Sequence, residues 1–250
     1  MSRVIAVANQ KGGVPKTTTV AALSSALAER GRKVLAVDLD PQACLTFSLG
    51  LEPDDLEPTV HDVLVGRAGG REAVVEVPDD AFALLPANID LAGAEAYLLT
   101  RTGREYALRQ ILEELGDYDV VLLDCPPSLG VLTINALTAA HEVVIPLQCE
   151  TLSHRGVGQL LSSIEDVRRL TNRSLVVRGI LPTMFDGRTN HAREVLADVG
   201  SRYGLPVLEP AIRKSIRFAE APRDGMSILR YAPNHPGADA YRELAGLFDS

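Results

Sequence analysis

Six short apolar runs, residues 4–8, 34–37, 82–85, 120–123, 143–147 and 176–181, recur along the chain with helix-forming segments between them. Runs of this length suit strands buried on both faces. The intervening stretches at 17–29, 106–115, 158–170 and 192–199 space their apolar residues by three and four, as a helix does. Parallel neighbours cannot be joined by a tight hairpin, so each connection becomes a crossover helix packed on one face of the sheet. The expected fold class is α/β: a doubly wound, mostly parallel sheet with helices on both faces.

With 250 residues, 46% of them hydrophobic, the chain is long enough to build one large core, and a single domain spanning 1–250 is expected. The Pro/Gly/Asp-rich stretches at 52–58 and 66–70 read as surface loops because strand-like sequence resumes after each. Residues 238–248 read as a final, surface-packed helix. Cys44, Cys125 and Cys149 are too few and too scattered for a disulfide framework or a four-ligand zinc site, and read as small buried hydrophobes in a reducing compartment. No stretch approaches the roughly 20 apolar residues of a membrane span, and Met1-Ser2-Arg3 leads straight into strand-like sequence, so a cytoplasmic, unprocessed protein is expected.

The net charge of −8 argues against a surface wholly devoted to nucleic acid. The charge is unevenly spread. Residues 1–150 hold 11 Lys and Arg against 22 Asp and Glu, whereas residues 151–250 hold 14 against 11, so a polyanion would meet the C-terminal half.

The strongest local signal is Asn9-Gln10-Lys11-Gly12-Gly13-Val14-Pro15-Lys16-Thr17-Thr18-Thr19, between the first apolar run and the first helical segment. A phosphate loop needs that placement: backbone N–H groups and a helix N-terminus surround the polyphosphate, a lysine neutralises it, and a hydroxyl binds Mg²⁺. Lys16 and Thr17 fit the last two roles, with Gly12, Gly13, Val14 and Thr18 in the cradle. Taken alone, a glycine-rich turn serving only sterics has the same appearance. Two acidic motifs follow. Asp38-Leu39-Asp40-Pro41-Gln42 brings a carboxylate out at the carboxyl end of a strand, the ligand edge of an open α/β sheet. Asp119-Val120-Val121-Leu122-Leu123-Asp124-Cys125-Pro126-Pro127-Ser128 has the form of a Walker B strand, with Asp124 placed to hold Mg²⁺ directly or through water.

Lys11-Gly12-Gly13 followed by Lys16-Thr17-Thr18 resembles the deviant Walker A motif, K-G-G-x-G-K-[ST], of the ParA/MinD group, and the whole chain resembles the ParA/Soj partitioning ATPases. The likeness continues through Thr133-Ile134-Asn135-Ala136-Leu137, 144–150, 184–190 and Arg217-Phe218-Ala219-Glu220-Ala221-Pro222. It implies a Mg²⁺- and ATP-dependent switch with slow turnover. Lys11 would reach across an ATP-bound homodimer to the partner's phosphates. Asp40 would position or activate the attacking water, with Asp38 supporting the Thr17 and Mg²⁺ region, and the Pro-Pro-Ser after Cys125 would sense the γ-phosphate. Adenine would lie between Met184 and the Ile212-Arg213 segment. Here this chain reads Ala211-Ile212-Arg213-Lys214-Ser215, where close relatives carry proline-arginine-asparagine.

The resemblance further implies non-specific binding of double-stranded DNA through Arg188 and Arg217, with Lys214, Arg213 and Arg193 extending the patch, a ParB-type partner that stimulates hydrolysis, and a place on the nucleoid. Ordinary solvated arginines would read the same way. Two alternatives remain: a DNA-binding module that has lost its ATPase, and a MinD-like membrane-associated ATPase. The latter would need a basic amphipathic C-terminal helix, whereas residues 241–250 carry more acid than base, so no membrane partner is expected. Pro15 departs from the motif, which has glycine there. It removes one N–H, fixes its own φ and restricts Val14. At the first helical position it would cost one phosphate contact; in a loop that needs glycine's dihedral range it would distort the cradle.

Overall fold

The computed structural model describes residues 2–149, 153–187 and 189–249. Seven strands form one sheet: β1 (Arg3–Val7), β2 (Val34–Asp38), β3 (Val75–Glu76), β4 (Ala83–Leu85), β5 (Val120–Asp124), β6 (Glu142–Gln148) and β7 (Val176–Thr183), in the order β3-β4-β2-β5-β1-β6-β7. All neighbours are parallel except β3 and β4, an antiparallel edge pair. Each expected apolar run forms a strand. β3 was not expected, since two residues carry no alternation.

The period of two in each strand divides the interior into two cores, one per face. Val4, Ala6, Leu35, Val37, Val121 and Leu123 point to one face, where they meet the helices Ala107–Leu115, Val131–Ala139 and Ser153–Leu170. Ile5, Val7, Val34, Ala36, Val120 and Leu122 point to the other and meet the helices Lys16–Glu29 and Pro236–Ala245. Helix Lys16–Glu29 is buried without interruption from Thr19 to Leu27, because it lies between the sheet and the tail helix. Its small Ala, Ser and Thr residues permit that close approach. The Tyr241 hydroxyl, fully enclosed on the tail helix, meets Thr19 Oγ1 at 3.1 Å, the polar partner a buried phenol requires.

The expected tail helix is present as Pro236–Ala245 followed by a 3₁₀ turn, Gly246–Phe248. The two expected loops are more ordered than their composition suggests: 52–58 contains the 3₁₀ turn Pro53–Asp55, and Gly70 opens the short helix Gly70–Ala73. Further helices, Cys44–Ser48, Val60–Val65, Leu91–Leu99 and Val131–Ala139, fill stretches without clear periodicity. Among the described residues no helix is long and apolar enough to cross a membrane.

β1 sends its connection toward β2, whereas its neighbour β6 sends its own toward β7. The chain therefore reverses direction beside β1. Ligands of open α/β sheets bind outside the carboxyl ends of strands at such a point, which here carries the glycine-rich loop.

Candidate nucleotide site and basic face

The loop between β1 and helix Lys16–Glu29 is anchored at its start by Asn9, a buried residue whose Nδ2 donates to the Pro146 carbonyl at 2.6 Å. Its Oδ1 accepts the Lys11 N–H at 3.0 Å, an Asx-type turn that aims the following backbone outward. Gly13 has φ of 76°, in the left-handed region, so a side chain here would be strained. Chain neighbours aside, no heavy atom lies within 4 Å of where a Cβ on Gly12 or Gly13 would stand, so the loop backbone faces open space there. The helix beyond has no side-chain cap and no acidic residue in its first turn. Its free N–H groups and dipole thus favour an anion. Lys16, 6% exposed, supplies a cation at the same place.

Pro15 occupies the N-cap, one residue before the helix, with φ −71° and ψ 61°. These are the dihedrals of an inverse γ-turn, and the Lys16 N–H donates to the Val14 carbonyl at 2.7 Å as that turn requires. Pro15 is therefore not the first helical residue but stands one position before it. The helix starts undisturbed and the Pro15 carbonyl accepts the Thr19 N–H at 3.2 Å, but two loop donors are withdrawn: proline has none, and that of Lys16 is turned inward.

Asp38 and Asp124 end neighbouring strands β2 and β5 at paired register positions, 0% and 1% exposed. Thr17 on the loop helix donates its hydroxyl to Asp124 Oδ2 at 2.7 Å. The other oxygen, Asp124 Oδ1, is buried without a hydrogen-bond partner among the described residues. Burial holds the Asp124 carboxyl well above the usual carboxylate range and the charge of Asp38 adds to this, while the Thr17 bond and Lys16 oppose it. Burial likewise pushes Asp38 up to about 6, against hydrogen bonds from Thr46 and the Asp40 backbone. Two enclosed carboxylates sharing one nearby lysine are electrostatically incomplete. An unpartnered carboxylate oxygen beside a threonine hydroxyl is the donor set a small hard cation such as Mg²⁺ takes.

Asp40 lies just outside the sheet, half-buried, with Oδ1 accepting the Gln42 N–H at 3.0 Å. Lys11 and Thr18 flank the loop on either side, both partly exposed. On the β7 side, Met184 is exposed with φ of 49°, whereas the Ile212 side chain is buried in the core. The Ile212 N–H donates to the Pro182 carbonyl at 2.8 Å, and its carbonyl accepts the Phe185 N–H at 2.9 Å. Arg213 and Lys214 are exposed and line, with Phe185, Asp186 and Gly187, an open cavity of about 570 Å³. Arg217 is exposed on the short helix Arg217–Glu220, where its Nη1 donates to Glu220 Oε2 at 2.9 Å. Arg188 lies outside the described residues, as does Glu150.

The expectation of three buried thiols needs correction. Cys125 is buried and Cys149 half-buried, but Cys44 is exposed, because it opens the helix Cys44–Ser48 after Ala43, whose φ of 50° turns the chain outward. Sequence reasoning missed Thr46, which holds Asp38, and gave no role to Asn9, although it opens the loop motif; Thr46 stands in no recognisable motif and reaches Asp38 only because the chain folds back over eight residues.

A phosphate-loop cradle, a lysine, a threonine and two acidic strand ends on this sheet define a P-loop NTPase with the deviant, two-lysine form of the loop. A family model described as an AAA domain matches residues 2–177. The chain is 43% identical to the sporulation initiation inhibitor protein Soj of Bacillus subtilis, covering 98% of this chain and 97% of that protein. It is 48% identical to the chromosome-partitioning ATPase Soj of Thermus thermophilus, covering 97% and 94%. A solved structure named cobyrinic acid a,c-diamide synthase from Mycobacterium smegmatis, with bound ADP and magnesium, is 57% identical with a TM-score of 0.89, covering 99% and 94%. The chain belongs to the ParA/Soj family of P-loop ATPases.

Proposed function

We propose that this chain is an ATP-driven switch for chromosome or plasmid partitioning, built as a single domain over 1–250. Asp124 Oδ1, buried and unpartnered beside the Thr17 hydroxyl, is the observation that carries the reading, because Mg²⁺ with a nucleotide completes the charge balance there. The ADP and magnesium in the Mycobacterium smegmatis structure support the same cofactors here. When bound, Mg²⁺ offsets the negative charge of the phosphates and of Asp124. The backbone of Gly12, Gly13, Val14, Thr17 and Thr18 cradles the phosphates, Lys16 neutralises them, and Asp38 orients the metal's surroundings. Asp40 positions the attacking water, and Lys11 reaches the nucleotide of a second copy, so that ATP favours a homodimer. Met184, Ile212 and Arg213 border the base.

The dimer then binds double-stranded DNA without sequence preference through Arg188, Arg217 and Lys214, and a ParB-type partner triggers hydrolysis and release on the nucleoid. Arginines at one edge of two copies give weak, salt-sensitive, valence-dependent binding. Pro15 weakens nucleotide handling: losing a hydrogen bond to a charged group costs about 1.5–3 kcal/mol, roughly tenfold to more than a hundredfold in affinity. The test is DNA retention measured without nucleotide, with ADP and with ATP. Retention that rises only with ATP supports the switch, and retention indifferent to nucleotide favours a DNA-binding module that has lost its ATPase. A membrane role finds less support, since the tail helix spends its apolar residues Tyr241, Leu244 and Ala245 on the core.

A second reading follows from the name of the 57% identical structure, an amide-forming synthase. Glutamine-dependent amidation uses an activated cysteine. Burial pushes the thiols of Cys44, Cys125 and Cys149 upward, that of Cys149 to about 11, so none is poised as a thiolate. ATP-dependent amidation of cobyrinic acid by the purified chain would establish this reading instead.

A further inference from the structure

The five-residue helix Cys44–Ser48 packs against both β2, which ends in Asp38, and the 3₁₀ turn Ala221–Asp224. Within it, Thr46 donates its backbone N–H at 2.9 Å and its hydroxyl at 2.8 Å to Asp38 Oδ2, while the Thr46 Oγ1 accepts the Ala87 N–H at 3.0 Å. Thr46 is fully buried, so no water can replace it in this network. At the far end of the helix, Gly50 meets Gly225 backbone to backbone. A Cβ on Gly225 would lie 2.6 Å from Gly50 Cα, and one on Gly50 would lie 3.0 Å from the Gly225 carbonyl oxygen. Both glycines have positive φ, 79° and 67°, so each is needed for conformation as well as for space. Gly225 ends the 3₁₀ turn Ala221–Asp224, which continues directly from the helix Arg217–Glu220.

One further contact and a small cavity bear on how tightly this segment is held. The Ser227 hydroxyl donates to Ser25 Oγ at 3.1 Å, fixing the segment's end to the loop helix. Thr18, Ser48, Phe218, Pro222 and Ile228 enclose a cavity of only about 40 Å³ where the three elements meet. Packed backbones with so little void transmit displacement instead of absorbing it.

We propose that helix Cys44–Ser48 is a two-ended positioning element. Thr46 is a positioning residue that sets the orientation of Asp38 beside the metal, and the Gly50–Gly225 contact passes any shift of that carboxylate to the segment bearing Arg217. The proposal rests on the Mg²⁺-ATP switch reading and adds to it the route by which the nucleotide reaches the DNA face.

The experiment is hydrogen exchange over residues 217–231, without nucleotide and with saturating Mg²⁺ and a non-hydrolysable ATP analogue, in the wild type, Thr46→Ser, Thr46→Val and Gly50→Ala. Nucleotide binding and thermal melting are measured alongside. The wild type and Thr46→Ser should both slow exchange at 217–231 on binding. Thr46→Val should need about tenfold more Mg²⁺ for half-maximal binding, the usual scale for losing a partner behind a metal ligand, and should lose the response even at saturation. Gly50→Ala should bind with the wild-type Mg²⁺ requirement and lose the response. If Gly50→Ala does not fold, the Thr46 pair decides alone. A full response in Thr46→Val, or an unresponsive 217–231 in a wild type that binds nucleotide, overturns the coupling. A wild type that binds no nucleotide overturns the switch reading and the coupling with it.

Discussion

Asp38 and Asp124 are enclosed, end adjacent strands and are held by Thr46 and Thr17, whereas Arg213, Lys214 and Arg217 stand in solvent on a loop and a four-residue helix. The buried centre works through a few strong, unscreened interactions, so single substitutions there act steeply. Exposed cations interact only through weaker contacts that salt screens, so substitutions on the basic face should have graded, additive effects.

The largest effect should come from Lys16→Ala. It removes the one buried cation of the loop, and Mg²⁺-ATP affinity should fall by more than about a hundredfold in titration with a fluorescent analogue. Asp124→Asn comes next and separates ligand binding from stability. Mg²⁺-dependent nucleotide binding should weaken by about tenfold or more, while the metal-free melting temperature should rise, because a neutral amide removes the cost of enclosing a carboxyl beside Asp38 and its oxygen still accepts the Thr17 hydroxyl. A lower melting temperature would show that the pair is not the costly feature of the unliganded site.

Charge reversal at both proposed DNA contacts, Arg188 and Arg217, should abolish DNA retention while ATP affinity and melting stay unchanged. Undiminished retention would reject the patch. The smallest effect is expected from Glu220→Gln. Hydrogen bonds to Tyr231 and then Glu220 raise the pKa of Arg217, and a DNA phosphate must displace Glu220 from it. Releasing it should tighten DNA binding by a few-fold at low salt and by less at high salt.

The same contrast explains what was legible in the sequence. Strands buried on both faces leave continuous apolar runs, so all six parallel strands and the loop, Asp38, Asp40 and Asp124 at their carboxyl ends could be placed beforehand. Helix Val131–Ala139 could not, because burial on nearly every side erases its period: Thr133, Asn135 and Thr138 are enclosed along with its leucines. Asn135 survives there by donating to the Arg104 and Val131 carbonyls and accepting the Leu108 N–H, partners that only tertiary structure supplies. The roles of Thr46 and Gly225 were hidden for the same reason, and so was the pairing of Arg217 with Glu220, three residues away on a helix too short to show a period. Pro15 stood out at once as a departure, yet its consequence for the Lys16 N–H came from dihedrals that no motif encodes.

The most direct test is calorimetric titration of Mg²⁺-ATP into the wild type and Pro15→Gly side by side. Mg²⁺-dependent binding is expected to both, tighter by about tenfold to a hundredfold in the glycine variant, where two loop N–H groups return to the phosphates. Binding to neither would contradict the nucleotide centre itself, and equal affinities would contradict the role given to the γ-turn at Pro15.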